Sequence, residues 1–144
     1  MSKHFPVVIH HNPECGTSRN VVDLVRAAGY APTLVLYLET GWTRPQLQAL
    51  FAAAGITARE ALRTTKSPAG ELGLLEPSVD DDTLLNAMIA HPVLVNRPIV
   101  ATPKGVRLCR PSEVALDLLD NWPSGPFAKE DGQLIIDGSG KRLA

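Results

Sequence analysis

Residues 7–38 constrain this chain most tightly. Positions 7–11 read as a short buried strand, and 20–28 place Val21, Leu24, Val25 and Ala28 at helical spacing. Gly29 stops that repeat, and 33–38 are again rich in β-formers. A strand, a helix and a strand with so short a return have one good solution, a right-handed crossover that leaves the two strands parallel.

The rest of the chain is read around that unit. Thr43-Arg44-Pro45-Gln46 has the form of a capping box with an early proline, opening a helix to about Ala54. The texture stays helical to His91, with a short piece at 59–63 and another helix starting at 80–82 and ending before Pro92. Two strands, 99–102 and 106–109, flank Lys104-Gly105, a dipeptide suited to a tight hairpin, and 111–119 is a last helix. The tail, 120–144, reads as irregular surface chain with one short strand at 134–136. The summed order βαβ, helical insert, ββα is that of an α/β, thioredoxin-like mixed sheet with a helical insertion. We expect one domain: a core of about 5–38 and 95–120, an insertion of about 39–94 and the tail. No Ser/Gly-rich linker brackets the insertion, and no internal repeat is visible.

Composition narrows the function classes. The 144 residues are one domain's worth, and a domain of that size buries roughly 68–70% of its unfolded surface without needing staples. The formal net charge of −1, from 14 basic and 15 acidic residues, gives no reason to expect a nucleic-acid or anionic-membrane partner. The start is polar and its apolar run covers only 7–9, so no signal peptide is expected, and no stretch approaches the ~18 apolar residues of a membrane helix. Two cysteines make no disulfide framework, which fits a reducing cytoplasm. No obvious apolar seam is present, and we expect a monomer. No His/Cys/Asp/Glu cluster has metal-site spacing, and no nucleotide-type Gly-rich loop occurs, so neither a metal nor a tightly bound cofactor is expected.

The chemistry concentrates at His11-Asn12-Pro13-Glu14-Cys15-Gly16-Thr17-Ser18-Arg19-Asn20. A cysteine between a strand and a helix start sits at the positive end of the helix dipole, where unpaired backbone N–H groups favour a thiolate and cradle an oxyanion. Gly16 allows close backbone approach, and the hydroxyls of Thr17 and Ser18 are expected to add donors. His11, at the strand end, is read either as a partner of the anion or thiolate or as an ordinary satisfied histidine. The alternative for Cys15 is a buried cysteine in a plain turn. A C-x5-R phosphate loop is excluded, because arginine follows after three intervening residues and the position it would need is Val21. The local pattern is C-x-x-S, so no local disulfide forms and any reductant must bring an external thiol.

A second cluster is Asn96-Arg97-Pro98-Ile99-Val100 with Leu108-Cys109-Arg110-Pro111. A turn at Lys104-Gly105 sets Ile99 opposite Arg110 and projects Arg97 and Arg110 from one face at the open end of the hairpin. Two converging guanidiniums suit a tetrahedral oxyanion, each binding two oxygens; the alternative is pairing with carboxylates such as Glu113. The same register puts Cys109 on the opposite face with Val100, as a core cysteine rather than a resolving thiol. A one-residue slip would reverse this. Arg63, ending its short helical piece, is on its own an ordinary surface arginine.

These residues, together with Leu62-Arg63, His91-Pro92 and the run Arg107-Leu108-Cys109-Arg110-Pro111-Ser112-Glu113, resemble the glutaredoxin-linked arsenate reductases. The resemblance runs from Val7 to the tail near Arg142. It implies Cys15 as nucleophile, Arg63, Arg97 and Arg110 as oxyanion-binding residues, and a role for His11 beside the thiolate. Proline at position 98 is cis in thioredoxin-like folds and faces the cysteine turn. The implied reaction reduces arsenate to arsenite through a covalent Cys15–arsenic intermediate, with glutathione as co-substrate and glutaredoxin as partner. Two rivals share the fold: a general glutathione-dependent thiol/disulfide reductase, which has no use for the arginine set, and a redox-sensing transcription regulator, in which the turn carries C-x-x-C where this chain has Ser18.

Overall fold

The computed structural model describes residues 4–143; the first three residues of the polar start and Ala144 lie outside it. The chain forms two compact units, one comprising the chain up to Val35 and from Arg97 on, the other Leu36–Asn96.

The first unit is built on a four-stranded sheet. β1 (Val8–His10) pairs parallel with β2 (Thr33–Val35), with α1 (Gly16–Ala27) as the crossover. β3 (Ile99–Thr102) runs antiparallel to β1, and β4 (Gly105–Leu108) antiparallel to β3, giving the order β2-β1-β3-β4. A 3₁₀ segment, Ser112–Leu118, follows. This is the mixed α/β, thioredoxin-like arrangement expected. Apolar side chains of α1 (Val21, Leu24) meet Ile9 and Val100 of the sheet and Leu116 of the 3₁₀ segment in one core.

Several boundaries differ from the sequence reading, each for a physical reason. α1 begins at Gly16, not near Asn20, because its inward first-turn position is Ser18, held by hydrogen bonds rather than apolar packing and so silent in hydrophobic periodicity. β2 stops at Val35 rather than running to 38: β1 offers only three residues to pair, the ladder closes with the His11 N–H donating to the Val35 carbonyl, and Tyr37–Thr40 turns into a short helix, α2. The hairpin turns at Pro103-Lys104, not Lys104-Gly105. Proline suits the first corner of such a turn, and the Lys104 N–H donates to the Thr102 hydroxyl. Ile99 therefore faces Leu108 instead of Arg110. The loop still has two residues, so the register moves by two and the faces survive.

The tail departs furthest from the reading as irregular surface chain. It forms a second sheet from β5 (Phe127–Ala128) and β6 (Leu134–Ile136), and Ile135 and Ile136 are completely buried in the core of this unit. The short strand expected at 134–136 is present as β6; three residues are too short a signal to tell that it is buried.

The second unit is helical. α3 (Arg44–Ala54) opens on the expected Thr43 capping box, α4 (Ala58–Ala61) on a second box at Thr57, and α5 (Asp81–Ala90) on Asp80, whose carboxylate accepts from the Thr83 N–H. Leu47, Leu84, Met88 and Leu94 are fully buried there, and Tyr37 stacks on Trp42 at 5.0 Å between ring centroids. Arg59 donates to the carbonyls of Leu74, Glu76 and Val79, tying down the long connection before α5. Among the described residues, no helix is long and apolar enough to cross a membrane.

Truncating Ile135 to alanine should destabilise the protein by about 2–5 kcal/mol, the usual cost of emptying a sealed aliphatic site. Urea unfolding measures it, and a change within ~0.5 kcal/mol would return the tail to the surface. A second check is pH. Burial lowers the pKa of His10 from 6.5 to about 4, so the unfolded chain binds that proton first as pH falls. Stability should therefore decline from pH 6.5 toward 4, and His10→Gln should flatten that part of the profile.

Candidate active site

The chain leaves β1 through a tight turn. The Cys15 N–H donates to the Asn12 carbonyl at 3.0 Å, and the Asn12 side chain accepts from the Glu14 N–H at 3.0 Å. This delivers Cys15 in extended conformation as the N-cap of α1, its carbonyl accepting from the Arg19 N–H at 2.9 Å. A cysteine sulfur caps a helix poorly and here makes no full cap hydrogen bond. What it gains is position beside the first-turn N–H groups.

The other half of the site comes from the open end of the β3–β4 hairpin. The Cys109 N–H donates to the Pro98 carbonyl, extending the ladder one pair beyond the strands, and the next pair is Arg97 and Arg110. Arg110 Nη1 lies 3.7 Å from Cys15 Sγ and also donates to the Arg97 carbonyl at 3.0 Å. The Arg97–Pro98 peptide is cis, as expected for a proline at this place, and so is Arg110–Pro111, which the sequence reading did not foresee. Glu113, the alternative partner weighed for the arginines, instead pairs with Lys129 at 3.1 Å in a nearly buried ion pair.

The electrostatics of the sulfur follow. Burial raises the Cys15 pKa, but the Ser18 backbone N–H, the charge of Arg97, and side-chain hydrogen bonds from Arg110 and Arg97 together outweigh it and leave the thiol below its ordinary value. Cys109 has the opposite environment. It is fully buried in the core with Val100, and burial pushes its pKa up to about 12. It has no reactive character.

Ser18 is placed differently from expectation. The Ser18 hydroxyl does not face outward as an oxyanion donor. It is completely buried, accepts from the Asn12 N–H at 3.1 Å and shares a 2.8 Å hydrogen bond with His11 Nδ1. Sealed from solvent, that hydroxyl cannot reach a ligand. Ser18 serves the sulfur through its backbone N–H instead. His11 is the satisfied histidine of the two readings weighed. Burial lowers its pKa, as do the charges of Arg26 and Arg19 against an opposing pull from Asp23, which disfavours the charged form. Thr17 lends its carbonyl to the Ser112 hydroxyl at 3.1 Å, fastening the first turn of α1 to the 3₁₀ segment. Gly16 leaves ordinary room, since a Cβ there would lie 3.7 Å from Arg19 Nη2 and from Glu130 Oε1.

The structure thus gathers Cys15, Arg97 and Arg110 into one cluster, with Gly16, Thr17, Ser18 and His11 behind it. Arg63 belongs to the helical unit, where its N–H donates to the Leu94 carbonyl at 2.8 Å and its Nε to the Thr65 carbonyl at 3.0 Å. Sequence reasoning missed Arg19 and Glu130, which form a bidentate ion pair at 2.8 and 2.9 Å. No local pattern announces a partner 111 positions away. Among the described residues no group of three or more His, Cys, Asp or Glu side chains could hold a metal ion.

A cysteine at a helix start, faced by two arginines beside a cis proline, brings a sulfur of lowered pKa and fixed positive charge into one place. The ArsC family model matches residues 10–118, and the chain belongs to that family. It is 69% identical over 137 residues to "Arsenate reductase ArsI2" of Synechocystis sp., covering 95% of this chain and 98% of that protein. It is 51% identical over 137 residues to an arsenate reductase of Escherichia coli, covering 95% and 97%. Among solved structures, the arsenate reductase from Vibrio cholerae superposes with a TM-score of 0.76 at 37% identity, over 80% of this chain and 98% of that one.

Iodoacetamide should alkylate Cys15 with an apparent pKa below the ~8.5 of a free thiol, and Arg110→Gln should raise it. Cys109 should stay unmodified until denaturant is added. A Cys15 profile centred at or above the free value would contradict the site as described.

Proposed function

We propose that this protein reduces arsenate to arsenite, with Cys15 as the nucleophile. The observation that carries the reading is the Cys15 sulfur at the start of α1, its pKa lowered despite burial, with the Arg110 guanidinium 3.7 Å away and Arg97 beside it. That pairing serves two ends. It keeps the attacking sulfur ionised, and it holds fixed positive charge where a tetrahedral oxyanion must sit to be attacked. A general disulfide exchanger needs the first but not the second. Arg63 enters this set from the Leu62-Arg63 motif and the family alone.

The reaction balances as follows. The Cys15 thiolate bonds to arsenic, and one arsenate oxygen takes up protons and leaves as water. Glutathione adds its sulfur to arsenic as a second oxygen leaves. A glutaredoxin thiolate then attacks the glutathione sulfur. The sulfur–arsenic bond breaks with its electron pair staying on arsenic, which falls from the pentavalent to the trivalent state. Water takes arsenic off Cys15, releasing arsenite and the thiolate. Cys109, the other cysteine, is sealed in the core with its pKa pushed up to about 12, and Ser18 stands where a local resolving thiol would, so the reductant is an external thiol; that it is glutathione with glutaredoxin is what the family resemblance implies. The protein therefore needs no tightly bound cofactor. We place it as a monomer in the reducing cytoplasm, where that thiol pool is kept.

The test is NADPH oxidation coupled through glutathione reductase, glutathione and glutaredoxin, started with arsenate. The wild-type protein should turn over and Cys15→Ser should not, since a serine hydroxyl is far from ionised at neutral pH. Cys109→Ser should retain most of the rate. Turnover by the Cys15 variant, or faster turnover with a small mixed disulfide than with arsenate, would overturn the assignment.

A further inference from the structure

The C-terminal hairpin reaches the same turn that carries Cys15. Between β5 and β6, Lys129 and Glu130 make three separate attachments to the cysteine side of the unit. Lys129 Nζ meets the Glu113 carboxylate at 3.1 Å, in a pair only about a tenth exposed. The Glu130 N–H donates to the Asn20 side chain at 2.9 Å. The Glu130 carboxylate takes both arms of the Arg19 guanidinium, from Nε at 2.8 Å and Nη2 at 2.9 Å. The remaining arm of Arg19 is engaged too, its Nη1 donating to the Pro13 carbonyl at 2.9 Å.

Arg19 is thus a clamp between the tail and the turn from Asn12 to Cys15. The pair lies directly over the start of α1, since the empty Cβ position of Gly16, the residue after Cys15, is equidistant at 3.7 Å from Arg19 Nη2 and Glu130 Oε1. We propose that Glu130 is a positioning residue for the Cys15 site. It holds Arg19 on the Pro13 carbonyl and offsets its charge, leaving Arg97 and Arg110 to face the sulfur and its anion.

Two consequences separate this from a merely structural ion pair. Arg19 and the Cys15 sulfur feel one another electrostatically, so the state of the clamp is legible in the thiol. The groups that face that sulfur are Arg97 and Arg110 from the hairpin, with the Ser18 N–H, while Arg19 of α1 acts on it through charge alone, its three arms being held by Glu130 and the Pro13 carbonyl. The pKa of His11 is lowered, by burial first and by Arg26 and Arg19 next, so its charged form is disfavoured. Removing the Glu130 charge unmasks a third cation and should stabilise the thiolate further. Removing Arg19 leaves a bare carboxylate in its place and should do the reverse. Both side chains are about two-fifths exposed, so the effect is moderate and screened by salt.

The proposal rests on Cys15 being the reactive thiol, but its test does not require arsenate turnover. The pH profile of Cys15 alkylation by iodoacetamide is measured for Glu130→Gln, Arg19→Gln and the double variant, at low salt and at ~1 M salt. Expected is a downward shift of the apparent pKa by about half a unit in Glu130→Gln, an upward shift of similar size in Arg19→Gln, and a near return to wild type in the double variant, all shrinking at high salt. Glu130→Asp, which keeps the charge, should stay on the wild-type side. In the coupled arsenate assay, Glu130→Gln should lower kcat more than it alters KM, because the turn that aims the sulfur is loosened. Single variants that titrate like wild type, or that shift in the same direction, would overturn the proposal while leaving the arsenate assignment untouched.

Discussion

A sulfur whose pKa is held below its ordinary value although it is buried is the constraint around which the first unit is arranged. Burial alone would keep Cys15 protonated, so every element touching it supplies compensation. α1 presents the Ser18 N–H, and the β3–β4 hairpin presents Arg97 and Arg110. The two arginines lie more than eighty positions from the cysteine in sequence and meet it only because β3 pairs beside β1 in the sheet. The parallel β1–β2 pair sets α1 at the end of the strand, and the antiparallel β3–β4 pair sets the two arginines across from each other. The mixed sheet is therefore what gives the thiolate both its helix start and its counter-charges.

A second layer keeps that arrangement rigid. Ser18 is sealed against His11 and the Asn12 N–H, the Thr17 carbonyl is tied to Ser112, and Arg19 is tied to Glu130 and the Pro13 carbonyl. Each contact joins the first turn of α1 to a different part of the unit. A nucleophile that must meet an anion at a set angle gains from such pre-organisation, because looseness of an ångström costs rate rather than stability. The buried Glu113–Lys129 pair continues the same fastening into the tail.

Much of this was legible in the chain beforehand, and the exceptions share a cause. The βαβ unit, the Thr43 capping box, β3 and the core placement of Cys109 with Val100 all carry local or periodic signals, and the structure has them. The hairpin register was displaced by two, yet Arg97, Arg110 and Cys109 kept their faces because strand periodicity is two. What stayed hidden was held by polar contacts or by distant chain. Ser18 faces inward through hydrogen bonds, so helical periodicity placed the start of α1 too late. The tail looked irregular because its burial depends on Ile135 and Ile136 meeting a core formed by residues far earlier. The Arg19–Glu130 pair has no signature at any spacing. Arsenic itself came from the family resemblance; residue chemistry alone reached only a thiolate and an oxyanion.

The central claim is that Cys15 bonds to arsenic during turnover. Intact-mass and peptide mass spectrometry of the protein, quenched with arsenate and glutathione present and glutaredoxin left out, tests it most directly. The account predicts an arsenic–glutathione adduct on the peptide carrying Cys15, absent from Cys15→Ser and absent when arsenate is omitted. Turnover with no arsenic on that peptide, or an adduct on Cys109 instead, would contradict it.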